Sequence, residues 1–329
     1  MADGAAAAAR PSRARDWGSA LTSSGAGIGL AALLLFNVFF THEFLTLQTL
    51  GVNLTQVAPI VIVAVGMTLV VATGGIDLSV GATAAFAGTF AAVLLSQPAG
   101  PLSAPALAVL AALTLPLGAA ALAGVLNGLL IARLRIQPIV ATLILFIAGR
   151  GFAEMLTDSN LRNFTQPAFA RLGGNVAGVP LQGFLMLGVV AVAAWAMRRT
   201  AFGRRILAVG GNERAATLSG IAAGRVKVVA YVVCAVLAGV AGILNVAINS
   251  AADPAKIGLG IELDAIAAVA VGGTPLAGGR GRIVGTLLGG LAIQLLGYSL
   301  LAHGVQDEWA MLLKAGLVLV AVYLQRQPR

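Results

Sequence analysis

Charge is what this chain has least of. Only 10% of its 329 residues are charged, while 59% are hydrophobic; a soluble globular domain carries about 25% charged residues. A soluble domain of this size needs a polar surface that such a composition does not supply. Acids are the scarcer sign, 12 Asp and Glu against 21 Lys and Arg. The sequence contains no GxxxxGK[ST] phosphate loop, no HExxH, no GxSxG elbow and no run of acids spaced for metal ions. Those absences remove the usual routes to nucleotide binding, hydrolysis and metal chemistry, and no metal site is expected. The single cysteine, Cys234, lies in an apolar run, which excludes a disulfide within the chain and a cysteine-rich metal site. It is expected as a small buried side chain.

What is present is a succession of apolar runs near 23–41, 51–73, 78–96, 104–131, 138–156, 183–197, 225–248, 262–277, 283–301 and 309–325. A bilayer span needs ~20 apolar residues, so the expected fold class is all-α: a polytopic membrane protein of about ten transmembrane helices. Its organisation reads as a tail at 1–22, one transmembrane domain at 23–325 and a tail at 326–329. The first run lacks an A-x-A-like cleavage site and reads as an uncleaved span. His42 and His303 fall in expected outer loops, apart from any proton relay.

The cations set the orientation. Arg10, Arg13 and Arg15 precede the first span; Arg133 and Arg135, Arg280 and Arg282, and Arg326 and Arg329 fall on the same side when the spans are counted. Only Arg162, Arg171 and Lys256 fall on the other side, so by the positive-inside rule both termini are expected in the cytoplasm. The net charge of +9 is therefore a topological signal, and nucleic-acid binding is not expected. Between the sixth and seventh spans, residues 197–227 read MRRTAFGRRILAVGGNERAATLSGIAAGRVK. Seven cations there face one acid, Glu213. A loop at 198–224 this long, basic and patterned is expected to bind a soluble cytoplasmic partner.

Two glycine-rich breaks, ATGGIDLSVG at 72–81 and VGGTPLAGGR at 271–280, share Gly-Gly-x-x-Leu and each separates two apolar runs. Recurrence in corresponding positions points to two inverted-repeat-like halves, as in many transporters; the plainer alternative is tight turns. Gly81, Gly88, Gly285, Gly289 and Gly290 suit close helix packing in lipid.

Polar groups at membrane depth mark function or anchoring. Asp77, beside Ser79 at the first break, is either a gate or helix anchor, or the cap of the third span. Asn127, Asn245, Asn249 and Gln294 suit a cavity passing hydroxylated solutes, or interhelical hydrogen bonds. Arg150 and Glu154, four apart on one helix face, are expected as a structural ion pair. Lys314 is expected to pair or to snorkel. Asp253, Glu262 and Asp264 are expected at an outer mouth, either docking a basic surface on an external protein or as a solvated loop end.

The segment VGMTLVVATGGIDLSVG at 65–81 resembles the signature of the ribose-type sugar permeases of bacterial ABC importers. So, in order, do QPIVATL at 137–143 leading to Arg150-Gly151, Gly203-Arg204 through GGNERAA at 210–216 to SGI at 219–221, and ELDAIAAV at 262–269 leading to Gly272-Gly273-Thr274. Pro275, where many relatives have serine, and the stretches at 303–305 and 323–325 look closer to the galactofuranose-type branch.

The resemblance implies an inner-membrane permease subunit, without an ATPase site of its own, that imports a simple sugar such as galactofuranose or ribose by alternating access. The implied partners are a cytoplasmic ABC ATPase that holds ATP and Mg, a periplasmic sugar-binding protein, and a second permease subunit, identical or paralogous, in the membrane lipid. No cofactor is expected in this chain. The resemblance places the coupling element at Gly203, Arg204, Arg205, Gly210, Gly211, Asn212, Glu213, Ala216, Ser219 and Gly220. Alternatives are the same architecture carrying a branched-chain amino acid or nucleoside, and an ATP-independent carrier.

Overall fold

Proline marks where several helices begin. Helices α4 (Pro105–Ala132), α5 (Pro138–Met155) and the single turn α6 (Pro167–Ala170) each start on a proline, whose fixed φ suits the first turn and whose missing N–H is not needed there. The other helices are α1 (Trp17–Phe40), α2 (Leu47–Ala72), α3 (Val80–Ser96), α7 (Leu181–Arg199), α8 (Ala201–Gly211), α9 (Glu213–Leu218), α10 (Ala223–Asn249), α11 (Ile261–Val271), α12 (Ile283–Ala302) and α13 (Asp307–Leu324). This computed structural model describes residues 17–96 and 104–324. Arg10, Arg13, Arg15, Arg326 and Arg329, on which part of the charge argument rests, lie outside the described residues.

A helix that is apolar all round belongs in the middle of a bundle. That helix is α2: 78% of its apolar window is buried, against 17% for α5, and α10, α11, α12 and α7 pack around it. α10 also packs on α3 and α4 through close backbone approaches, Gly242 against Ala84 and Gly124 against Val232. Two small antiparallel ladders cap one end, β1 (Arg162–Asn163) with β4 (Ala251–Ala252) and β2 (Asn175–Val176) with β3 (Val179–Pro180). They fall on the side that the charge pattern makes external.

Among the described residues, α2, α4, α5, α7, α10 and α12 are long and apolar enough to cross a membrane. The fold is therefore an all-α polytopic one, with shorter apolar helices completing the bundle. The expected eighth span at 262–277 is corrected. Its helix, α11, stops at Val271, so its 11 residues rise only about 16 Å in a hydrocarbon core of ~30 Å. The stop is local chemistry. Pro275 disfavours helical geometry at Thr274, whose hydroxyl instead accepts a hydrogen bond from the Arg282 backbone N–H at 3.0 Å.

The two glycine breaks meet. The N–H of Gly279 donates to the carbonyl of Ala72 at 3.1 Å, and Gly278 lies against Gly74. The N-terminal ends of α2 and α11 border one outer cavity and their C-terminal ends run into the two joined breaks. The helices are thus parallel, and this pair of breaks recurs in the same sense rather than by inversion.

Candidate functional site

The outer cavity encloses about 710 Å³. One wall is α2 from Leu47 to Ile60, a length that gives a depth of about 20 Å at 1.5 Å rise per residue. The remaining walls are the end of α10, the middle of α12, the start of α11 and the loops at 175–180 and 256–261. Its polar lining is dominated by side-chain amides: Gln48, Gln56, Asn175, Asn245, Asn249 and Gln294. Gln294 donates to Gln56 Oε1 at 2.6 Å, and Asn249 bonds the Asn245 carbonyl at 2.8 Å. Each amide both donates and accepts, the chemistry that matches a hydroxyl, which does the same. Pro59 lines the same wall and has no N–H to offer the Thr55 carbonyl one turn earlier.

Three of the expected cavity residues, Asn245, Asn249 and Gln294, are thus brought together; Asp77, Ser79 and Asn127 are not. The latter are buried at 0–1% exposure and are not part of the outer cavity. Asp77 Oδ1 accepts from the Ser79 backbone N–H at 2.9 Å and from its hydroxyl at 2.6 Å. Asn127 Nδ2 donates to Ser79 Oγ at 2.9 Å. Thr142 accepts the Leu78 N–H at 3.1 Å, and the Tyr231 hydroxyl donates to the Ile76 carbonyl at 3.3 Å. This knot ties the first break to α4, α5 and α10, and it satisfies backbone groups that unwinding leaves unpaired. Asp77 bonds Ser79 at the start of α3 and, through it, Asn127 of α4, a geometry that fits both a cap of the third span and a helix anchor.

Other expectations are corrected. Arg150 is not paired with Glu154 among the described residues; its Nη1 donates to the carbonyls of Pro254 at 3.0 Å and Ile257 at 2.7 Å. Long-range carbonyls on the packed loop outcompete the helical neighbour. Glu262 is buried at 8% exposure, beneath the surface where docking was expected. Asp264 is held by Lys314 at 3.1 Å, which also supplies the partner expected for Lys314. Asp253 remains at the surface, 3.7 Å from Lys256.

On the opposite side, α8 is amphipathic at helical spacing: Gly203, Ile206 and Val209 are buried while Arg204 and Arg205 are exposed. Gly210 lies directly on the Ala72 carbonyl and the Gly279 N–H, so that any Cβ there meets backbone. Neighbouring Gly211 faces open space. Asn212 caps α9, accepting from the Ala215 N–H at 2.9 Å. Glu213 bonds Lys227 at 2.6 Å, tying α9 to the second turn of α10. Within the short α9 only Ala216 is buried, and Ser219 and Gly220 are exposed. The C-terminal end of α8 therefore touches both glycine breaks at once. Beside α9 a groove of about 1310 Å³ carries Arg133, Arg135, Arg214 and Arg225.

A multi-pass helical bundle with an amide-lined outer cavity and a basic helical pair beneath it has the build of a membrane permease. The chain belongs to the family described as branched-chain amino acid transport system / permease component, whose model matches residues 49–322. It is 42% identical over 306 residues to the ribose import permease protein of Escherichia coli (strain K12), covering 91% of this chain and 92% of that protein. It is 39% identical over 280 residues to the galactofuranose transporter permease protein of the same strain, covering 83% and 78%. Identity to the L-arabinose ABC transporter permease protein of Azospirillum brasilense is 32% over 337 residues, covering 98% and 93%. No solved structure matches the chain significantly.

Proposed function

We propose that this chain is the translocation subunit of a simple-sugar importer in the bacterial inner membrane, with a galactofuranose-, ribose- or related monosaccharide-type substrate. The observation that carries the reading is the amide-lined outer cavity, supported by full-length likeness to permeases named for ribose, galactofuranose and L-arabinose. A branched-chain amino acid, the solute in the family's description, is zwitterionic and is held best where charges or oriented backbone dipoles of both signs are free to meet it. Here the buried-side charges Asp264 and Lys314 neutralise each other, and the remaining lining is neutral apart from exposed Lys256. That favours a neutral polyol.

The chain has no phosphate-loop motif, so energy comes from a separate ABC ATPase subunit that binds ATP and Mg and seats on α8 and α9. A periplasmic sugar-binding protein loads the outer mouth. A second permease subunit, of the same or a paralogous kind, faces the sparsely buried α5. ATP binding shifts α8, and through Gly210 moves both glycine breaks together, so that the cavity closes outside as it opens inside. Affinity purification from the native membrane with mass spectrometry tests this. An ATPase and a sugar-binding protein recovered with the chain support it, and recovery of the chain alone under conditions that preserve such complexes contradicts it.

A further inference from the structure

The outer lip of the cavity is the loop at 253–260, which contributes Lys256, Gly258 and Leu259 to the lining. Its conformation is set from a distance. The Arg150 guanidinium, projecting from α5, holds the Pro254 and Ile257 carbonyls at 3.0 and 2.7 Å. Ile257 is buried at 4% among Ala85, Ala153 and Phe164, and Pro254 is buried beside it. Directly after the loop, Glu262 sits in the first turn of α11, its carboxylate lying against Gly81 of α3. One arginine thus joins α5 to the lip, a few residues before the α3–α11 contact.

The helix that carries this arginine is the least buried of the six long apolar ones. Ile144, Ile147, Phe152 and Met155 on α5 are exposed, while its inner face rests on α3 through Gly149 against Ala82. Within one chain α5 is therefore held mainly by α3 and α4, its exposed face being the one proposed for a second subunit, and its shortest polar tie to the rest of the chain runs to the lip.

We propose that Arg150 is a positioning residue for transport, coupling displacement of α5 to the outer lip of the cavity. The inference rests on the importer reading. When α5 moves against α3, the two carbonyls move with the guanidinium, and the 253–260 loop is drawn off or onto the mouth. Hydrogen bonds to a charged donor are about twice as strong as neutral ones, which suits a strap that must transmit displacement without breaking.

The test uses the full chain in membranes with its partner subunits. Because Cys234 is fully buried, an Ile60→Cys variant places a single reactive thiol on the cavity wall. Its labelling by a membrane-impermeant maleimide reports the state of the lip. Arg150→Ala is expected to raise the labelling rate about tenfold, with Arg150→Lys restoring it towards the parent value. An unchanged rate in Arg150→Ala overturns the proposal.

Should Arg150→Ala fail to accumulate, an oxidised Ala82→Cys/Gly149→Cys pair fixes α5 to α3; the ideal Cβ at 149 lies 3.2 Å from that of Ala82. The cross-link is expected to abolish the ATP-dependent change in Ile60→Cys labelling, reversibly with reductant. An unaltered ATP response in the cross-linked protein overturns it. Absence of sugar uptake by the parent complex instead sinks the importer reading, and the labelling rates still decide the fate of the strap.

Discussion

Gly279 gives its backbone N–H to the carbonyl of Ala72 at 3.1 Å, and Gly210 of the basic loop lies on that same bond. Three segments far apart in sequence converge on one peptide contact: the end of α2, the break after α11, and the end of α8. A displacement at α8 cannot reach one break without reaching the other. This is the physical basis for reading α8 as the input to the membrane bundle.

Gly210→Ala places a methyl group against the Ala72 carbonyl and the Gly279 N–H, both backbone atoms that cannot swing aside. Overpacking of this kind costs about 1–3 kcal/mol. Thermal unfolding in detergent is expected to show the loss. Gly211→Ala, one residue on and facing open space, is expected to melt with the parent, so any change in sugar-stimulated ATP hydrolysis there reports coupling rather than folding.

Lys227 and Glu213 approach to 2.6 Å, but the Glu213 side chain is 53% exposed. A pair so exposed contributes about 0.2–1 kcal/mol. Glu213→Gln is therefore expected to leave the melting temperature nearly unchanged and to make the small remaining effect vanish at high salt. A large loss of stability measured by a double-mutant cycle with Lys227→Met would contradict this.

The Asp77 knot behaves differently because it is sealed. Ser79→Ala removes the hydroxyl that links Asp77 to Asn127 and leaves buried partners unpaired, at a cost of about 1–3 kcal/mol. Comparison of unfolding midpoints for Ser79→Ala and an exposed control, Ser219→Ala, is expected to show a clear loss only in the first.

Within the cavity, Gln56→Leu and Gln294→Leu are expected to raise the KM for sugar uptake about tenfold each, by the loss of one hydrogen bond apiece from a lining made mainly of neutral amides. Their effects should be non-additive, since the two amides are bonded to each other at 2.6 Å. Uptake kinetics of the two single variants and the double variant check this.

Much of the bundle was legible in the sequence because lipid forces it: long apolar runs must form helices, and cations between them gather on one side. The three amides Asn245, Asn249 and Gln294 announced a cavity, since neutral polar groups at membrane depth need a reason. Gln48 and Asn175 were missed because they sit at a helix start and in a turn, where polar residues are ordinary, and Gln56 because it lies in the polar first half of α2, just ahead of its apolar run. The pairing of Arg150 was misread for a different reason. Helical spacing makes Glu154 a neighbour, but the loop carbonyls at 254 and 257 reach the guanidinium only through tertiary folding. The same holds for Lys314 and Asp264, fifty residues apart, and for the burial of Glu262 under Gly81. The contact of Gly210 with both breaks had no local signal at all.

The most direct test is uptake by proteoliposomes that contain this chain together with the ABC ATPase and the sugar-binding protein proposed as its partners. The account predicts accumulation of a labelled monosaccharide that requires ATP and is lost in the Gly210→Ala variant. Accumulation without ATP, or transport of a branched-chain amino acid in place of a sugar, would contradict it.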